Sequence, residues 1–135
     1  RPVGGWLSDK VGAKRVVQTA LCIIIPLAMF VAFQPTLEPQ TTVAYLSLAF
    51  VLGCANGAVF AMVGKLAKPE VMGSVTGLVG AAGGFGGFLP PLLLGFTYQR
   101  MHSYSLALVL LAVAAFVALI YIHRRFKDKS LYAMV

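Results

Sequence analysis

The segment Gly73-Ser74-Val75-Thr76-Gly77-Leu78-Val79-Gly80-Ala81-Ala82-Gly83-Gly84-Phe85-Gly86-Gly87-Phe88-Leu89-Pro90-Pro91 decides the fold. It is apolar, yet it holds seven of the chain's 14 glycines. In water that composition argues against a helix, because each glycine costs about 1 kcal/mol relative to alanine. In a bilayer the argument reverses: every backbone N–H and C=O must be satisfied within its own segment, and glycine serves where a neighbouring helix presses close. Gly73, Gly77, Gly80, Gly84 and Gly87 follow one another at spacings of four, three, four and three, which puts them on one helical face. Gly83 and Gly87 form a second small-xxx-small pair beside it. The helix therefore offers a strip of bare backbone, flanked by Phe85 and Phe88, to another helix or a small solute. Pro90 and Pro91 are expected to bend its far end. A phosphate loop is excluded on pattern: no GxxxxGK[ST] exists, and Gly64-Lys65 lacks both the leading glycine and the following hydroxyl residue.

Working outward, the whole chain of 135 residues is 59% hydrophobic and 11% charged, with mean hydropathy +0.87. This is the composition of a polytopic membrane protein. The net charge of +7 then reads as a topology signal and gives no indication of nucleic acid. The sequence opens at Arg1 inside what reads as the end of a helix, so the chain is expected to be a fragment. Cys22 and Cys54 fall in apolar spans without ligand spacing and read as packing residues, with no disulfide, metal or cofactor expected.

In chain order, residues 1–8 read as the last turns of one helix and residues 9–15 as a charged turn. Apolar spans follow at 16–33, interrupted by Pro26, at 43–63, carrying Gly53, Asn56 and Gly57, at 74–96 and at 105–122. A polar loop lies at 34–42, a basic turn at 65–72, a brief connection at 98–103 and a basic tail at 123–135. The expected fold is thus an all-α membrane protein with four full transmembrane helices and the end of a fifth. Spans of this length measure about 27 to 35 Å, matching a hydrocarbon core of about 30 Å. Nine of the 11 Lys and Arg residues lie in the turns at 9–15 and 65–72 and in the tail. By the positive-inside rule these are cytoplasmic, and so is the C-terminus; the tail cluster is further expected to meet anionic lipid.

Arg1 lies eight residues before Asp9, about 12 Å inward along a helix and near the bilayer midplane. A charge there costs about 3 kcal/mol on insertion scales and needs a partner. Asp9, Glu38, Glu70 and Asp128 all fall in loops or the tail. An anionic solute is one partner that suits it, since the guanidinium offers paired donors to a planar oxyanion; the other reading is a chain-end arginine that reaches water.

Two motifs carry a family resemblance. Gly5-Trp6-Leu7-Ser8-Asp9-Lys10-Val11-Gly12-Ala13-Lys14-Arg15 resembles the GxLaDrxGrk loop of major facilitator superfamily transporters, with Ala13 standing where a basic residue is usual. The stretch Gly73 to Phe88 is similar to the glycine-rich signature on the eleventh helix of the nitrate/nitrite porter family within that superfamily. Arg1 falls where that family has a substrate arginine on its eighth helix.

The resemblance implies that the chain, residues 1–135, is part of the C-terminal six-helix bundle of a twelve-helix transporter. That part would run from the end of the eighth helix through the twelfth, in a bacterial plasma membrane. It implies nitrate or nitrite as the ligand, with Arg1 holding the anion and Gly80, Gly83, Gly84 and Gly87 allowing close approach. Asn56 is a weaker candidate for lining the path. In the loop motif of Gly5, Asp9, Lys10, Gly12 and Arg15, Asp9 would brace a gate against a helix of the missing N-terminal part. The partners implied are the anion, membrane lipids and that missing part of the same chain. Proton symport and nitrate/nitrite exchange stay open. The alternatives are a facilitator of another small anion or solute and, in a different class, a four-helix scaffold or assembly subunit docking through its glycine face. An enzyme is not expected, for the sequence holds no Ser/His/Asp set, paired carboxylates or metal-ligand cluster.

Overall fold

A computed structural model describes residues 1–33 and 38–125. The chain folds as α1 (Pro2–Val11), α2 (Ala13–Ala32), α3 (Pro39–Leu66), a 3-10 turn (Pro69–Val71), α4 (Met72–Met101) and α5 (Ser105–Arg125). Among the described residues there is no strand. Among the described residues four helices, α2 to α5, are long and apolar enough to cross a membrane.

Three of them build the core. Val16 and Val17 of α2 meet Ala58 of α3, with Ile122 of α5 against them. Ile24, Leu48 and Ala115 make the middle layer. Val31 and Ala32 meet Ala44 and Leu108 at the far end. As the numbers rise along α2 they fall along α3 and α5, so α2 is antiparallel to both. Alanines lie in and between these layers: Ala13, Ala28 and Ala58 are completely buried, and close helix approach of this kind is what membrane packing rests on.

The helices run further than the apolar spans suggest. α3 has 28 residues and α4 has 30, about 42 and 45 Å at 1.5 Å per residue. Pro39 opens α3, where a missing N–H costs nothing, and the Thr42 hydroxyl bonds back to the Glu38 carbonyl at 3.2 Å. The connection expected at 98–103 is mostly helix. Thr97 donates to the Leu93 and Leu94 carbonyls, α4 continues to Met101, and His102 stops it in a left-handed conformation with φ 50°. Tyr98 stacks on Tyr104 across this turn at 4.7 Å between ring centroids. Residues 123–125, expected in the tail, end α5. The rest of the tail and positions 34–37 of the polar loop lie outside the described residues.

Among the described residues three prolines sit inside helices: Pro26 in α2, Pro90 and Pro91 in α4. Having no N–H, Pro90 and Pro91 leave the Gly86 and Gly87 carbonyls without their i+4 donors. α4 differs from the other spans in that no residue of its most apolar stretch is buried; it approaches only α3, α5 and the 3-10 turn.

Candidate functional site

Helix α1 lies against α3 with the two chains parallel. The approach is backbone on backbone. A β-carbon at Gly4 would overlap the Cys54 carbonyl, and one at Gly57 would overlap the carbonyl of Arg1 and stand 3.1 Å from the Gly5 nitrogen. A β-carbon at Gly53 would come within 3.7 Å of the Arg1 nitrogen. Arg1 is thereby seated on the segment of α3 that carries half-buried Asn56, while Arg1 itself is exposed. Ser8, fully buried, turns its hydroxyl back to the Gly4 carbonyl at 2.7 Å, so it adds no bulk to the contact.

The loop motif closes the same pair of helices one turn further on. Gly12 joins α1 to α2 at φ 93°, a conformation that a residue with a β-carbon rarely adopts. Ala13, at the position where the motif usually has a basic residue, is completely buried; a long cation has no room there. The Lys10 ammonium sits 4.0 Å from the centre of the Trp6 ring. Arg15 is exposed on the first turn of α2. Asp9, expected to brace a helix outside this chain, has a partner within it: its carboxylate is 3.7 Å from Lys65 Nζ at the end of α3. Lys65 also donates to the Ser8 carbonyl at 3.3 Å.

The glycine face of α4 is arranged differently. Gly83, Gly84 and Gly87 are exposed and Gly80 half-exposed. A β-carbon at any of them, or at Gly73 or Gly77, would meet nothing within 4 Å. Helix α1 touches α2 and α3 and does not reach α4. The candidate residues therefore fall into two groups, with Arg1, Gly5, Asn56 and Asp9 on the α1–α3 pair and the glycines of α4 apart from them. What the first group presents is an exposed guanidinium, able to donate two parallel bonds to a planar anion. Among the described residues no cluster of three metal-ligating side chains occurs.

Sequence reasoning missed Lys65 and the close backbone approaches of Gly4 to Cys54 and of Gly57 to Arg1. Gly53-x-x-x-Gly57 and Gly4-x-x-x-Ser8 are both small-xxx-small pairs and could have flagged these approaches. Nothing in the sequence singled out Lys65 from the other turn cations.

Over 122 residues, 90% of this chain and 31% of the relative, it is 44% identical to the "Probable nitrate/nitrite transporter NarK2" of Mycobacterium tuberculosis. It is 32% identical to the "Nitrite extrusion protein" of Bacillus subtilis over 96% of this chain and 33% of that protein. It is 34% identical to the "Probable nitrate transporter NarT" of Staphylococcus aureus over 88% of this chain and 30% of that protein. The chain thus spans about a third of the length of the curated relatives it matches. No solved structure matches it significantly. The family model described as "Major Facilitator Superfamily" matches residues 1–131, and with its all-α, multi-pass architecture the chain belongs to that superfamily of membrane transporters.

Proposed function

We propose that this chain is the C-terminal part of a nitrate/nitrite transporter of the bacterial plasma membrane, one that moves the anion by alternating access. The observation that carries the reading is the similarity, over about nine tenths of the chain, to proteins from three organisms whose names specify nitrate or nitrite. In this reading Arg1 holds the anion near the middle of the membrane, with Asn56 beside it on α3. The Gly80 to Gly87 face of α4 lets the remainder of the polypeptide approach and withdraw as the two halves rock about the site. The anion, the rest of the same polypeptide and the surrounding lipids are the partners. The C-terminus is cytoplasmic, on the side where nine of the 11 Lys and Arg residues gather.

Helices α2 to α5 contain no Asp or Glu. They supply no carboxylate relay, so a proton-coupled cycle would draw its acids from outside these helices, while nitrate/nitrite exchange would need none.

The test is Arg1→Lys in the full-length protein. The lysine keeps the charge and loses the planar fork, so nitrate affinity is expected to fall at least about tenfold, or 1.4 kcal/mol. Undiminished binding by titration calorimetry would remove Arg1 from the site. Competition of labelled nitrate uptake by nitrite, by other small anions and by neutral solutes then fixes the substrate class.

A further inference from the structure

A groove of about 440 Å³ runs between α2 and α5 at the end of the bundle where α2 begins and α5 finishes, lined by Gln18, Cys22, Leu119, Ile120, His123 and Arg124. These side chains come in two tiers. Gln18, His123 and Arg124 stand nearer the helix ends; Cys22, Leu119 and Ile120 lie one turn deeper, since each pairs with one of the first three at a spacing of four. The outer tier is polar and carries the charge, whereas the inner tier is apolar. Among the described residues no acidic side chain lines the groove. Cys22, Ile120, His123 and Arg124 are all exposed, as are Val113, Phe116 and Val117 further along α5. The walls are firm: α2 and α5 share every core layer of the three-helix bundle, and Ile122 packs on the Val16–Val17 cluster.

We propose that this groove binds one anionic phospholipid of the cytoplasmic leaflet. The phosphate is held by Arg124, His123 and the Gln18 amide, and an acyl chain lies along Cys22, Leu119 and Ile120. Charge complementarity decides the occupant. A cationic, hydrogen-bonding rim over an apolar floor, at the depth where headgroups give way to hydrocarbon, fits a phosphate joined to a lipid tail. A zwitterionic lipid gains less from Arg124, because its own cation opposes the contact. Arg15, one turn before Gln18 on α2, adds a further positive charge on that side. This inference rests on the membrane topology proposed above and not on the identity of the transported anion.

The test uses the full-length protein in detergent, titrated with phosphatidylglycerol or phosphatidylcholine and read by native mass spectrometry. Wild type is expected to retain one phosphatidylglycerol at least about tenfold more strongly than phosphatidylcholine. The paired change Arg124→Gln with His123→Gln, at exposed positions, should bring that adduct to the phosphatidylcholine level. Leu119→Trp, which fills the floor and leaves every charge in place, should displace it as well. Equal retention of the two lipids, or full retention by the Arg124/His123 variant, overturns the proposal. So does displacement by inorganic phosphate in moderate excess, which would assign the rim to a free anion. Nitrate binding measured on the same samples reports on the transport reading separately, and the accessibility of a C-terminal tag in inside-out vesicles reports on the topology.

Discussion

Two glycine-rich surfaces in this chain have opposite fates. On α1 and α3, Gly4 and Gly57 are buried so tightly that a single β-carbon at either would enter the backbone of the neighbouring helix. On α4, a longer and more regular series from Gly73 to Gly87 faces nothing within 4 Å. Spacing alone ranks the second surface higher, yet the first does the packing seen here. Small-residue periodicity identifies a helix face that permits close approach; it carries no information on whether the approaching surface belongs to the same segment of chain. The relatives are about three times as long as this chain, and in the reading proposed here the α4 face meets the portion that this chain does not span.

The largest expected effect breaks the first surface. Gly57→Val places two methyl groups against the Arg1 carbonyl, where backbone cannot move aside as a side chain could. A loss of about 3 kcal/mol or more is expected, the upper end of overpacking costs. In the full-length protein this appears as a strongly lowered melting temperature or a failure to yield monodisperse material. A normal melt would show that α1 and α3 stand further apart than described.

The second prediction tests the other surface. Gly84→Val in the full-length transporter is expected to cut nitrate uptake at least about tenfold while membrane insertion and protein level remain normal, since the variant blocks an approach needed only during the cycle. Wild-type uptake would mean that the α4 face has no moving partner, and would bring the scaffold reading forward.

The smallest effect sharpens the first surface at its edge. Lys65→Met removes the ion pair with Asp9 and the bond to the Ser8 carbonyl. Asp9 is largely exposed, and pairs of that kind contribute less than about 1 kcal/mol. The melt is expected to shift slightly, and the shift relative to wild type to shrink with added salt. A loss comparable to that of Gly57→Val would show that the cation, and not the glycine contact, holds α1 in place.

Much of this was legible beforehand. Four apolar spans, their alternation and the loop motif follow from hydropathy and a few marked residues, because the bilayer leaves so few ways to satisfy a backbone. Helix ends were not legible. Residues 98 to 101 look polar enough for a loop, but Thr97 just before them turns its hydroxyl onto its own helix and the segment stays helical. The departure at Ala13 was visible and its reason was not, since burial depends on the helices that surround it. Lys65 was read as a topology charge among others; its pairing with Asp9 needs the register of α1 against α3, which a sequence does not print.

The parallel setting of α1 and α3 has an electrostatic side. Peptide dipoles in the two helices point the same way, so side by side they repel, and their partial negative ends converge at one end of the bundle. Lys65 sits at that end, in the last turn of α3, with its ammonium on a carbonyl near the end of α1. One cation therefore neutralises two helix ends at once, at about 0.3 to 1 kcal/mol for each. Antiparallel neighbours compensate one another's dipoles, whereas parallel ones gain from a counter-charge of this kind. In the topology proposed here, the same lysine that serves the positive-inside rule also provides it.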